Sequence, residues 1–159
     1  MNAYDYVIPA PMTGKVVALK DVDDIAFASG SIGSGIAIEP TEGKVYSPFD
    51  GIIETIFYTN HIVGLSSDKG IELIIHIGID TIKLDGNYFH ANFFEGAKVQ
   101  RGDLLLDFDV EAIKADGFSL VSPVVVVNGI NYSEIYTTDK DFVEYNDDLI
   151  FIKEYKLTI

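Results

Sequence analysis

The sequence predicts an all-β fold: a compact β-sandwich or barrel with a duplicated turn-and-strand unit, hence pseudo-symmetry, and a few short helices. Three observations carry this expectation. Short runs rich in Val, Ile, Tyr, Phe and Thr are separated by Gly, Asp, Asn and Pro turns along the whole chain, the pattern of strands joined by tight connections. The hydrophobic fraction is 48% over 159 residues, enough for one sizeable core. Two stretches recur: "APMTGKVVAL" (Ala10–Leu19) against "SPFDGIIETI" (Ser47–Ile56), and "GAKVQRGDLLLDF" (Gly96–Phe108) against "DFVEYNDDLIFI" (Asp141–Ile152). The first pair reads small-Pro-x-x-Gly-x-aliphatic, where Pro presets the turn and Gly releases the chain into the next strand. The second reads Val, then Asp, then two aliphatic positions.

In chain order, strands are predicted at "KVVAL", "GIAIEP", "KVYSPF", "IIETIFYT", "IELIIHIGI", "LLLDF", "VVVV" and "LIFIKEY". Short helices are predicted at "VDDIAF" and "VEAIKADG", and a turn follows Asp85-Gly86. No linker or low-complexity stretch divides the chain, so a single domain over 1–159 is expected. The opening Met1 and the missing linker favour a stand-alone chain.

Composition excludes several function classes. The net charge of −14 makes nucleic acid and anionic membrane surfaces poor partners; it favours solubility or a basic protein partner. The chain has no cysteine, hence no disulfide, thiol nucleophile or thiolate metal site. Its longest apolar runs are too short to span a bilayer, and it opens without a basic-then-apolar leader. The cytoplasm is the expected compartment.

The stretch "LIIHIGID" (73–80) combines an apolar run with a histidine and an aspartate. On a strand, Ile71, Leu73, Ile75, Ile77 and Ile79 share one face, and Glu72, Ile74, His76, Gly78 and Asp80 share the other. The first face reads as core. A second histidine stands in "IFYTNHIVGL", where strand alternation groups Thr55, Phe57, Thr59, His61 and Val63. A hairpin closed tightly at Asp68-Lys69 places His61 opposite His76, Thr59 opposite Gly78 and Phe57 opposite Asp80, with facing Cβ atoms about 5 Å apart. A three-residue loop capped by Gly70 is the competing register, and it moves every pair by one. The tight register is preferred because it leaves Ile56 and Ile62 to the core with the Ile71–Ile79 face.

Two facing imidazoles admit three readings. One ring can accept a phosphoryl group while the other donates a hydrogen bond to it, with Thr59 holding the second ring's tautomer. His61 and His76 with Asp80 can ligate zinc. Or the pair is simply buried and hydrogen-bonded. A zinc hydrolase on a related duplicated β-fold is disfavoured, because it needs a His-x-His pair that the chain lacks.

These residues carry a family resemblance. "TNHIVGLSSDKGIELIIHIGIDTIKLDGNYF" resembles the core signature of the glucose-family IIA phosphocarriers of the bacterial sugar phosphotransferase system. So do "APMTGKVVALKDVDDIAFASGSIGSGIAIEPTEGKVYSPFDGII", "EGAKVQRGDLLLDFD" and "SPVVVVN", from about Ala10 to the C-terminus. The resemblance implies an antiparallel β-sandwich/barrel with a duplicated hybrid-type motif and a few short helices, and a phosphotransferase component with a phosphohistidine intermediate and no cofactor or required metal. His76 would be the phosphoryl acceptor, His61 the phosphoryl stabiliser and Thr59 part of the hydrogen-bond network. Asp80 would orient the site or touch a partner. Phosphorylated HPr would be the donor and a cysteine of a IIB domain the acceptor. Phe27, Ile32, Phe57 and Ile74 match positions that ring the site and would dock partners. A regulatory domain of the same fold, acting on a permease or metabolic enzyme through a zinc shared by His61 and His76, is the alternative. Several features depart from the pattern. Asn87-Tyr88 and "HANFF" are more aromatic than the family's usual Gly-x-Gly-Phe segment, Ser31 stands where many relatives carry an aliphatic residue, and the membrane-anchoring amphipathic peptide of some relatives is not expected. His90 matches no active position and is expected on the surface.

Overall fold

The computed structural model describes residues 3–156, so the extreme ends of the expected 1–159 unit lie outside the described residues. The β-branched runs become strands. In chain order these are β1 Tyr6–Pro9, β2 Gly14–Val17, β3 Ser34–Pro40, β4 Lys44–Tyr46, β5 Gly51–Ile56, β6 Ile62–Ser67 and β7 Glu72–His76. They continue with β8 Phe89–Ala91, β9 Lys98–Val99, β10 Leu104–Phe108, β11 Ser122–Val126, β12 Tyr132–Thr137, β13 Phe142–Val143 and β14 Asp148–Glu154. The two predicted helices form as α1, Ile25–Ala28, and α2, Val110–Ala115. Each starts at an aspartate whose side chain accepts a backbone N–H, Asp24 from Ala26 and Asp109 from Ala112, the usual N-cap arrangement.

Every strand pair is antiparallel. The strands make an eight-stranded sheet, β13-β2-β3-β11-β7-β6-β5-β9, and two three-stranded sheets, β1-β14-β12 and β4-β10-β8. One apolar cluster joins all three: Ile36, Leu73, Ile75 and Val124 from the large sheet meet Ile8 and Ile150 from one small sheet and Val45 and Leu106 from the other. A second cluster, with Phe27, Ala37, Ile79 and Val125, packs under α1 on the opposite face of the large sheet. Apolar residues on both faces explain why every residue of β11 is buried.

The sequence repeats are structural. Ala10 N donates to Asp147 O, as Ser47 N does to Asp103 O; Asn146 N donates to Ala10 O, as Gly102 N does to Ser47 O. Gly14 pairs with Val143 and Gly51 with Val99. A Cβ on Gly14 would lie 2.1 Å from Glu39 O, and one on Gly51 would lie 2.0 Å from Ser66 O. Both repeated glycines therefore stand where a neighbouring backbone leaves no room for a side chain.

Three expectations change. The hairpin between β6 and β7 closes through Asp68-Lys69-Gly70, with Ser67 N donating to Ile71 O and Gly70 N to Ser67 O. Gly70 takes φ +88°, so the three-residue loop wins and the register moves by one. Ile62, not His61, therefore faces His76; Ile62 is half-buried, and Val63 takes the core position. Second, "IIETIFYT" is not one strand. A bulge between Ile53 and Thr55 shifts β5, and residues 57–61 form a turn in which Asn60 N donates to Phe57 O and Asn60 has φ 60°. Thr59 and Phe57 sit in that turn and do not face Gly78 and Asp80. Third, β1, β8, β9, β12 and β13 were not predicted; all five lie at sheet edges, all but β12 are only two to four residues long, and in β12 exposed polar positions dilute the apolar signal.

Candidate phosphoryl-transfer site

The site lies at the end of β7, where the turn preceding β6 and the α1 segment converge. The Ile71–Ile79 face is buried as expected, so His76, of opposite parity, points out of the main core. His76 Nδ1 lies 2.8 Å from Gly78 O. A carbonyl only accepts, so Nδ1 carries the proton and Nε2 keeps its lone pair.

His61 meets His76 without facing it in the ladder. Its carbonyl accepts from Ile77 N at 2.7 Å, extending the β6–β7 ladder by one residue beyond Ile62. The two imidazoles lie with centroids 5.0 Å apart and planes at 89°. His61 is 2% exposed and packs edge-on against Phe57 and Phe89. Its Nδ1 is 2.5 Å from Thr59 Oγ1. Thr59 is itself buried, and among the described residues its hydroxyl has no other partner. The hydroxyl proton therefore goes to Nδ1, which leaves His61 Nε2 as a donor.

Electrostatics separate the rings. Burial, with the neighbouring His76 adding to it, pushes the His61 imidazole down to about 4. Burial also pulls His76 below the ordinary histidine value, but the Gly78 carbonyl and the carboxylates of Asp24 and Asp80 oppose that pull. Both rings are neutral at pH 7. Asp80 is exposed, has φ 59° and caps no helix with its side chain. Asp24 was absent from the predicted site. The sequence placed it inside the predicted helix "VDDIAF", and only the tertiary structure brings its charge to His76.

The four expected docking residues collect here. Phe27 packs its ring 5.1 Å from His76 but is only 4% exposed, so it walls the site more than it presents a surface. Phe57 packs at a tilt against Tyr58 and edge-on against His61. Ile32 and Ile74 are half-buried against the Phe27 cluster. Ile25 and Ile82 are exposed aliphatics near Phe27 and Asp80 in the chain. Ser31 turns its hydroxyl to Ala26 O, tying down the end of α1. His90 is exposed on β8 opposite Asp107, in a different sheet from His76. Tyr88, in place of a glycine of the resembled segment, keeps a left-handed φ of 74°; its hydroxyl bonds Asp116.

The arrangement offers one nucleophilic ring nitrogen, one opposing N–H and an aromatic surround of Phe27, Phe57 and Phe89. Among the described residues no three His, Cys, Asp or Glu side chains gather to hold a metal. A zinc bound through His61 and His76 would take its remaining ligands from elsewhere. No helix among the described residues is long and apolar enough to cross a membrane.

Known proteins are similar to this chain in sequence, and one solved structure in fold. It is 46% identical over 143 residues to the PTS system beta-glucoside-specific EIIBCA component of Halalkalibacterium halodurans, covering 90% of this chain and 22% of that protein. It is 50% identical over 127 residues to the same-named component of Bacillus subtilis, covering 80% and 21%. The chain thus spans about a fifth of the length of these relatives. The solved structure of glucose permease IIA from Mycoplasma capricolum superposes with a TM-score of 0.82 at 28% identity, over 91% of this chain and 94% of that one. Residues 6–132 match the family described as phosphoenolpyruvate-dependent sugar phosphotransferase system, EIIA 1. With its two-histidine site on the IIA β-sandwich, the chain belongs to this EIIA family.

Proposed function

We propose that this chain, acting over 1–159 as one IIA unit, carries a phosphoryl group on Nε2 of His76. The observation that supports this most directly is the 2.8 Å hydrogen bond from His76 Nδ1 to Gly78 O, which reserves Nε2 for attack. The lone pair of Nε2 forms the new N–P bond as the N–P bond to the donor histidine breaks, and the donor imidazole leaves with its electron pair. His61 Nε2–H then hydrogen-bonds a phosphoryl oxygen. Because both rings are neutral, no proton must leave His76 before attack, and positioning supplies most of the catalysis. In the onward step a cysteine thiolate attacks phosphorus and His76 leaves as neutral imidazole, its Nδ1 proton retained.

Phosphorylated HPr is the proposed donor and a IIB-domain cysteine the proposed acceptor; the relatives' names join the letters B, C and A in one component. The cytoplasm is the compartment proposed for this exchange. The docking surface includes the half-buried Ile32, Phe57 and Ile74 and extends into a shallow hollow beside the site, lined in part by Ile62, Gly64, Ile74 and Val127. Apolar patches around a polar centre suit partners that bind in turn.

Intact mass after incubation with enzyme I, HPr and phosphoenolpyruvate tests this reading. One added phosphoryl group, lost in acid, is the expected result. No added mass moves the assignment to a regulatory domain, for which zinc titration in the presence of a partner is the next measurement.

A further inference from the structure

His76 owes its orientation to Gly78 O, and Gly78 is itself held. The chain entering β11 straps the loop after β7: Ile79 N donates to Ser119 O at 3.0 Å, and Gly78 N donates to Ser122 Oγ at 3.1 Å. Ser122 Oγ donates in turn to Leu120 O at 2.7 Å. Ser122 is wholly buried, and its hydroxyl serves as both donor and acceptor. From within the loop, Thr81 Oγ1 donates to Ile77 O. Gly78 has φ +75°, and a Cβ there would meet Thr81 Cγ2 at 2.6 Å and Ser119 O at 2.7 Å.

We propose that Ser122 is a positioning residue for His76: by holding the Gly78 amide it fixes the Gly78 carbonyl, and through it the ring plane and tautomer that leave His76 Nε2 bare. The physical case has two parts. The χ2 torsion of an imidazole is soft, so an external partner must set the ring plane. A buried N–H left without an acceptor is costly, so removing the Ser122 hydroxyl drives Gly78 to reorient. An apolar residue would fill the volume as well as serine; only a hydroxyl satisfies the Gly78 amide and Leu120 O together. The inference rests on the phosphoryl-carrier reading for its purpose, but Ser122 bonds neither imidazole.

The test separates the two. Long-range 1H–15N spectra of the histidine ring nitrogens are recorded near pH 7.5, with no donor present, for the wild type and for Ser122→Ala, Ser122→Cys and Ser122→Thr. The wild type is expected to show His76 as the Nδ1–H tautomer alone. Ser122→Ala and Ser122→Cys are expected to show both tautomers, and Ser122→Thr to restore the single one. The phosphorylation rate by phospho-HPr is expected to fall about tenfold in the Ala and Cys variants at unchanged KM for HPr, and to recover with Thr. If Ser122→Ala does not fold, the near-isosteric Cys variant carries the measurement. A single Nδ1–H tautomer retained in the folded variants overturns the proposal. A tautomer shift in a protein that is never phosphorylated upholds the positioning role and overturns the carrier reading instead.

Discussion

The two copies of the repeated unit share a scaffold and differ in their loops. In both, a Pro-x-x-Gly turn hands the chain to a strand, an aspartate-bearing turn pairs with it, and the glycine presses against a neighbouring carbonyl. The strands that follow, β2 and β5, each turn back into an antiparallel partner, β3 and β6. The connections diverge. Residues 18–33 carry α1 and end in an apolar wall with Phe27 and Ile32, while residues 57–61 form the turn with Phe57, Thr59 and His61. The repeated backbone positions two loops around His76, and the chemistry resides in what is not repeated. Substitutions in the loops should therefore remove function and leave the fold, whereas substitutions in the shared turns should weaken both halves alike.

The largest effect is expected in the unrepeated part. His76→Ala should abolish acid-labile phosphorylation by phospho-HPr in an intact-mass assay and leave the unfolding midpoint nearly unchanged; normal labelling of this variant would refute the assignment. His61→Gln should still accept a phosphoryl group but pass it to a IIB domain about 100-fold more slowly, the lower end of what a positioned imidazole contributes. Single-turnover transfer measures it, and an undiminished onward rate would remove His61 from the mechanism.

The shared scaffold gives a matched pair. Gly14→Ala and Gly51→Ala each push a Cβ against a carbonyl oxygen and should each cost about 3 kcal/mol or more in urea unfolding. A large cost at only one of them would show that the two units do not bear load equally.

Next in size is a pH effect confined to the histidine pair. The folded protein holds His61 near 4 and His76 below its ordinary value, while the unfolded chain's imidazoles protonate near pH 6.5. The unfolded state therefore binds more protons between those values. Stability should be full above about pH 6.5 and decline as pH falls toward 4, by roughly 1–3 kcal/mol. His61→Gln should flatten that slope relative to wild type, and parallel profiles for the two proteins would contradict it.

The smallest effect tests the repeat in detail. Asp103 Oδ2 accepts from Gln100 N and Asp147 Oδ2 from Glu144 N, both at 2.8 Å. Alanine at either position should cost about 1 kcal/mol, and the two costs should agree within about 0.5 kcal/mol.

Much of this protein is local, and the sequence by itself determined it. The alternation through Ile71–Ile79 set the core face of β7 and the outward parity of His76, because side chains on a strand alternate whatever the strand pairs with. The repeated Pro-x-x-Gly and Val-to-Asp spacings located matching turns, since turn chemistry acts over a few residues. Tertiary structure decided the rest. The hairpin register depended on whether Gly70 entered the loop, a choice between two closures of similar local cost. His61 reaches His76 because the β6–β7 ladder gains one rung, Ile77 N to His61 O, just after a left-handed Asn60, and alternation foresees neither. Asp24 and Ser122 act on His76 from segments far away in the chain, and hydrogen bonds and Coulomb interactions between such segments exist only once the sheet has closed and excluded water.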